Sequence, residues 1–265
     1  VNGAERIASA FAATPDRAAV MPYLMAGFPD LATSAEIGEA CIDAGADVLE
    51  LGVPFSDPLA DGPVIHAAAT RALAQGTTVA DALSLAERLA QRAPIVAMAY
   101  TNTVLAPGAD RFLECLAASG VAGLIVPDLP YEEGEELAAA ATAAGIALVP
   151  LVAPTTTPER FAAIGARAAG FMYVVSVMGT TGERAHGATD LGPLLARAKA
   201  ATAVPVAVGF GISGPDQAVA ATVAGADGVI VGSRLVRAAG EAEDAPREVG
   251  RLVREIAEAL SGVVA

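Results

Sequence analysis

Eight short runs of apolar residues recur along the chain, separated by longer alanine-rich stretches with helical spacing. The runs are Ala19–Met25, Val48–Val53, Ile95–Tyr100, Gly123–Val126, Ala147–Val152, Phe171–Ser176, Val204–Val208 and Gly228–Val231. They are continuously apolar rather than alternating, as parallel strands buried on both faces require. Glycines close helical stretches just ahead of several runs, at Gly45, Gly120, Gly145, Gly170 and Gly225. Each is a place for a left-handed helix cap, and the equal intervals between Gly120, Gly145 and Gly170 are about one strand plus one helix. Eight such units predict an α/β fold, a (β/α)8 TIM barrel forming a single domain over residues 1–265. An open doubly wound sheet is the competitor, but no G-x-G-x-x-G follows the first strand.

The helix signals fit this order. Thr33 or Ser34 is expected to cap a helix running to Ala44, Thr77 or Thr78 one running through Ala90, and Pro215 to open one running through Ala224. In Ala245–Leu260, the residues Val249, Leu252, Val253, Ile256 and Leu260 recur at helical spacing and predict a helix packed on the barrel exterior.

Composition narrows the class of partner. The mean hydropathy of +0.52 is high, but alanine supplies much of it. No stretch of about 18 apolar residues marks a membrane span. The first 17 residues lack the basic flank and apolar block of a secretory signal, so a cytoplasmic location is expected. A net charge of −14 argues against nucleic acid and anionic membranes, and the absence of tryptophan argues against base-stacking platforms. Cys41 and Cys115 are far apart in helical stretches and are expected to be free thiols.

In a parallel barrel, chemistry belongs at the C-terminal strand ends and the loops beyond them. Glu50 is a carboxylate within the apolar second run, and strand periodicity turns it away from Leu49 and Leu51, into the barrel. A buried carboxylate is either a structural hydrogen-bond partner or a tuned acid/base. The following loop holds Asp57 and Asp61 among Pro54, Pro58, Gly62 and Pro63. Asp61 fits either a turn or cap before the helix that Pro63 begins, or catalysis.

Two glycine-rich ends follow the seventh and eighth runs: Gly209-Phe210-Gly211-Ile212-Ser213 and Gly232-Ser233-Arg234. Small residues admit an anion close to backbone N–H groups, and a helix opening at Gly232-Ser233 would aim its positive end at it. Such paired ends form phosphate cups in barrels, although glycines there also make plain tight turns. A third segment, Ser176 to Gly187, has three glycines among polar residues and suggests a loop able to close over a ligand.

Absences narrow the chemistry further. Lys199 is the only lysine and falls in a predicted helix, which leaves no strand lysine for a Schiff base. His66 and His186 are the only histidines, too few for the expected ligands of a metal aldolase.

With these segments in view, the sequence resembles the tryptophan synthase alpha chain family. The resemblance rests first on Pro54-Phe55-Ser56-Asp57-Pro58-Leu59-Ala60-Asp61-Gly62-Pro63 with Glu50 ahead of it. Tyr23 to Gly27, Ala99 to Asn102, Val126-Pro127-Asp128, Gly179 to Gly182, Gly209 to Gly211 and Gly232-Ser233 extend it in order. It implies a carbon–carbon lyase that splits indole-3-glycerol phosphate into indole and glyceraldehyde 3-phosphate. It also implies that Glu50 moves the proton at indole C3 and that Asp61 accepts the indole N–H. Gly182, Gly211, Gly232 and Ser233 would hold the phosphate, Thr181 would close onto Asp61, and Tyr23, Tyr100 and Tyr173 would line the pocket. No cofactor or metal is implied for the chain itself. The implied partner is a pyridoxal-phosphate beta subunit in an alpha2beta2 heterotetramer, met near the Asp57 loop and the Gly179–Gly187 loop. Another phosphate-binding barrel such as a sugar-phosphate isomerase, a non-catalytic activating subunit and a stand-alone indole lyase are the rival expectations.

Overall fold

A computed structural model describes residues 2–175, 191–209 and 211–263. Among them run nine parallel strands: β1 (Ala19–Met25), β2 (Leu49–Gly52), β3 (Ile95–Met98), β4 (Gly123–Ile125), β5 (Ala147–Leu148), β6 (Leu151–Val152), β7 (Met172–Val175), β8 (Val206–Gly209) and β9 (Gly228–Val231). Their order across the sheet is β5-β4-β3-β2-β1-β9-β8-β7-β6. β5 and β6 stand at opposite ends of that order yet are consecutive in the chain, so the sheet curls into a ring. The join is at Val149 and Pro150, where Val149 N donates to Leu124 O and Tyr173 N donates to Pro150 O, both at 2.9 Å. The expected fifth strand is therefore one stave passed from β4 to β7 at Pro150, the residue with no N–H to offer. Counted as staves, the barrel has the eight that the pattern predicts.

The helices are α1 (Gly3–Ala12), α2 (Leu31–Asp43), α3 (Pro63–Ala74), α4 (Val79–Ala90), α5 (Thr101–Leu105), α6 (Ala109–Ala118), α7 (Glu135–Ala143), α8 (Pro158–Ala166), α9 (Leu191–Ala201), α10 (Pro215–Val223), α11 (Ser233–Glu241) and α12 (Ala245–Leu260). α12 buries the apolar stripe expected of it. It packs closely on α2, where a Cβ at Gly250 would lie 3.3 Å from the Ala40 carbonyl oxygen. Thr78 caps α4 as one of the two expected residues, accepting from Asp81 N at 3.2 Å. The start of α2 differs from expectation: Asp30 is the cap and accepts from Thr33 N at 2.9 Å. Ser34 instead lies buried inside the helix, donating to Leu31 O at 3.0 Å and accepting from Gly27 N at 3.3 Å. All five glycines read as helix caps have positive φ, from 70° at Gly120 to 106° at Gly225. Among the described residues no helix is long and apolar enough to cross a membrane.

Strand alternation sorts side chains into two layers. Leu49, Leu51, Ile95, Leu124 and Val208 face the helices, whereas Met21, Val48, Val96, Phe171 and Ala207 fill the barrel. Ile7 and Phe11 of α1 join that inner cluster and close the N-terminal end of the barrel. Lys199 is held at that same end: its ammonium pairs with Asp227 at 2.8 Å, and Asp227 also accepts from Val206 N at 2.8 Å. The chain's one lysine is thus a structural partner at the start of β8 and β9, far along the strands from their C-terminal ends.

Candidate active site

Glu50 stands inside the barrel on β2, opposite Tyr23 of β1 and Val96 of β3 in register. Its neighbours Leu49 and Leu51 face outward into the helical layer, so one stave delivers two packing residues and one carboxylate. Glu50 is 1% exposed, and neither carboxylate oxygen has a hydrogen-bond partner among the described residues. Desolvation and, second, the charge of Asp61 push its pKa up to about 8. An unpaired buried carboxylate escapes the penalty of carrying charge by keeping its proton. Glu50 is accordingly a neutral acid near pH 7.

The next inward position on β2 is Gly52, and its missing side chain sets the position of Tyr23. A Cβ at Gly52 would lie 2.1 Å from the Tyr23 hydroxyl oxygen. Gly209 plays the same part for Tyr173, whose hydroxyl oxygen would lie 2.0 Å from a Cβ there. Two glycines at strand ends thus let two phenols lean across the barrel above the inner core. Burial raises both phenols well above their ordinary pKa; the charges of Asp61 and Glu50 add to this at Tyr23, and that of Glu50 at Tyr173.

Asp61 reaches the site from the loop between β2 and α3. That loop leaves the barrel with Val53 N donating to Met98 O at 2.9 Å and turns at Asp61 N, which donates to Pro58 O at 3.2 Å. Gly62, not Asp61, occupies the cap position of α3, and no side chain makes a cap bond there. The capping reading of Asp61 therefore fails. Burial raises its pKa, opposed by a hydrogen bond from the Tyr100 hydroxyl and by the charge of His66 on α3. Tyr100 also accepts from Ala60 N at 3.1 Å and stacks on Phe55 with ring centroids 5.2 Å apart. It acts as a prop behind the loop, while Met98 is the β3 residue on the cavity wall. The Ala99–Asn102 and Val126–Asp128 motifs are joined by Asp128, whose carboxylate accepts from Thr101 N at 2.8 Å and from the Thr101 hydroxyl at 2.9 Å.

Glu50, Asp61, Tyr23 and Tyr173 share a cavity of about 240 Å³ at the C-terminal ends of the strands. Its far wall is Gly211, Ile212 and Ser213 after β8, with Gly232, Ser233 and Arg234 at the start of α11. Gly211 has φ 81°, a conformation in which glycine avoids strain. The first turn of α11 has no side-chain cap and no acidic residue, so among the described residues no carboxylate caps its N-terminal N–H groups. Thr181 and Gly182, with the rest of the Gly179–Gly187 loop, lie outside the described residues. Ile65, Met98, Ile212 and Ile230 complete an apolar lining that sequence reasoning did not single out. Ile230 could have been found by the period-two rule applied to its strand. Two larger grooves, of about 490 and 680 Å³, are lined chiefly by α5–α8 and the loops after β3, β4 and β6. Neither is lined by Glu50 or Asp61.

Glu50, Asp61, Gly211, Gly232 and Ser233, drawn from separate sequence motifs, line one cavity. The sequence signature of the tryptophan synthase alpha chain family matches residues 10–263. The chain belongs to that family. The tryptophan synthase alpha chain of Gloeobacter violaceus is 52% identical over 236 residues, covering 88% of this chain and 86% of its own. That of Synechocystis sp. is 47% identical over 247 residues, covering 92% and 94%. Among solved structures, tryptophan synthase from Mycobacterium tuberculosis superposes with a TM-score of 0.88 at 37% identity, over 97% of this chain and 98% of that one. The tryptophan synthase a2b2 complex of Pyrococcus furiosus gives 0.85 at 38% identity, over 92% and 99%. As a tryptophan synthase alpha chain, the protein is a lyase of tryptophan biosynthesis that cleaves indole-3-glycerol phosphate to indole and glyceraldehyde 3-phosphate.

Proposed function

We propose that Glu50 and Asp61 carry this cleavage by carboxylate acid/base chemistry. The observation behind the proposal is a buried Glu50, unpartnered among the described residues and with its pKa raised by burial, lining a cavity that also holds Asp61. Glu50 gives its proton to indole C3, which makes the ring an iminium and therefore an electron sink. Asp61, as a carboxylate, holds the ring N–H and its growing positive charge. Glu50, now ionised, takes the proton of the glycerol hydroxyl on the carbon attached to C3. The bond between that carbon and C3 breaks, its electrons return to the ring, and indole and the aldehyde result. The proton gained by Glu50 restores it for the next turnover.

Gly211, Gly232 and Ser233 hold the substrate phosphate in this reading, supported by the open amides at the start of α11. Tyr23 and Tyr173 press on the indole, and Tyr100 positions Asp61. The partner is a pyridoxal-phosphate beta subunit that receives indole, the chain being the alpha subunit of an alpha2beta2 heterotetramer; the Pyrococcus furiosus relative is described as such a complex. The exposed apolar side chains Leu59 and Leu105, on the loop after β2 and at the end of α5, support a protein partner on that rim. A cytoplasmic setting is supported by the free thiols Cys41 and Cys115.

The test is indole release from indole-3-glycerol phosphate by the purified chain and by Glu50→Gln. We expect the variant to fold and to lose roughly three orders of magnitude in kcat. Near-normal turnover by Glu50→Gln overturns the assignment.

A further inference from the structure

We infer that Asp128 is a positioning residue for the cleavage, fixing Tyr100 from outside the cavity and, through it, the carboxylate of Asp61. The inference rests on the reading of Asp61 as the group that holds the ring N–H. Tyr100 donates its hydroxyl to Asp61 and accepts from Ala60 N at 3.1 Å. Its backbone lies between two ties to β4 and the loop that follows it. Ala99 N donates to Ile125 O at 3.0 Å, and Thr101 N donates to the Asp128 carboxylate at 2.8 Å. The first continues the β3–β4 ladder, and the second takes its place where β4 has ended. Asp128 lines the groove beside α5 and not the cavity of Glu50 and Asp61, so its route to the chemistry runs through Tyr100.

Tyr100 occupies the cap position of α5 but makes no side-chain cap bond. With five residues, α5 is too short to be stable on its own. Asp128 supplies the missing acceptor from the next loop, taking Thr101 N and also the Thr101 hydroxyl at 2.9 Å. The turn so held accepts the Tyr100 backbone in its own ladder, where Tyr100 O receives Thr103 N at 2.9 Å and Val104 N at 3.2 Å. Loss of the Asp128 carboxylate frees the peptide on the C-terminal side of Tyr100. A small rotation there is magnified at the hydroxyl, the far end of the side chain, and moves it off Asp61. The charge of Asp128 is not the agent. Burial, the Tyr100 hydrogen bond and the charge of His66 on α3 act on Asp61, and Glu50 of β2 and Tyr23 of β1 feel Asp61 in turn. Removing an anion from the neighbourhood would lower the pKa of Asp61, whereas loosening the bond from Tyr100 raises it. The two causes are told apart by sign.

The experiment measures indole-3-glycerol phosphate cleavage against pH by the full chain, by Asp128→Ala, Asp128→Asn and Tyr100→Phe, and by the double variant Asp128→Ala with Tyr100→Phe. Asp61→Asn is the reference for the site. Asp128 is exposed on a loop, so its variants should fold. Asp128→Ala should lower kcat about tenfold, leave KM within about threefold, and move the acid limb of kcat/KM to higher pH, because Asp61 must be ionised to hold the ring. Asp128→Asn keeps an oxygen to accept from Thr101 and should recover most of the rate. In the Tyr100→Phe background Asp128→Ala should cost little more, since the hydroxyl through which it acts is gone. An equal loss in both backgrounds, or an acid limb that moves to lower pH, overturns the role. Slow cleavage by Tyr100→Phe beside normal cleavage by Asp128→Ala keeps Tyr100 as the prop and overturns Asp128. If neither slows cleavage while Asp61→Asn does, the site reading stands and this inference falls; normal turnover by Asp61→Asn overturns the site reading itself.

Discussion

In the proposed mechanism Glu50 connects folding and catalysis through one proton. Its pKa of about 8 in the folded chain exceeds that of an unfolded carboxyl group, so the native state holds a proton the unfolded chain has already lost. In that window stability declines as pH rises, from the ordinary carboxyl range through about 8. Glu50→Gln removes the slope. Its melting temperature should exceed that of the parent at pH 8, and the difference should shrink as the pH is lowered to about 4.5. The same proton predicts that kcat/KM falls above pH about 8, because the free enzyme then lacks its acid. A flat profile through that pH would separate Glu50 from the proton transfer. Gly52 matters at the same scale, since a methyl there would claim the space of the Tyr23 hydroxyl. Gly52→Ala should leave the fold standing and lower kcat/KM by about tenfold or more by displacing the phenol, as steady-state kinetics would register. Glu50 was legible because a lone carboxylate interrupts an apolar strand. Gly52 was not, because an absent side chain acquires meaning only when the phenol that fills its space is seen.

The strands were read more securely than the joints between elements. β1 and β9 have the expected limits, and several others lose a residue or two at the ends. Continuous apolar runs identify buried staves, but hydrogen bonding decides where each stops. Pro150 was visible in the sequence, yet the transfer of pairing it enforces depends on two partners far away in the chain. The cap of α2 went to Asp30 because Ser34, three residues into the helix, bonds its own turn. α1 was missed, having only Ile7 and Phe11 as large buried side chains. Its other anchor is Arg6, whose guanidinium donates to Gly120 O at 2.6 Å and Ala90 O at 3.0 Å. Arg6→Ala strands both carbonyls beneath the barrel and should cost about 2 kcal/mol, a fall of about 5 °C in melting temperature. kcat/KM should stay within about twofold, since α1 closes the end of the barrel opposite the cavity. A variant that melts normally would show that these bonds do not hold α1.

At the scale of the molecule, the eight-stave pattern was enough to put the candidate residues at one end of a barrel, but not to show how that end is braced. The loop after β2 carries Asp61 and is tied to the next stave by the Phe55–Tyr100 stack and the bond from Ala60 N to Tyr100. Between those ties Leu59 is 90% exposed, two residues from Asp61, and Leu105 is exposed at the end of α5. Burial of such apolar groups favours a docked partner, and Ala60 alone separates Leu59 from Asp61 in a loop flanked by Pro58 and Pro63. A beta subunit seated there would fix Asp61 relative to Glu50, so catalysis should depend on the partner more than binding of substrate does. Leu59→Asp should therefore cut the stimulation of indole release by a beta subunit at least fivefold, while the unassisted rate stays within about twofold. Titration of the beta subunit against the variant separates weaker docking, which more partner restores, from lost coupling, which it does not. Full stimulation at the same beta-subunit concentration as the parent would move the contact away from this rim.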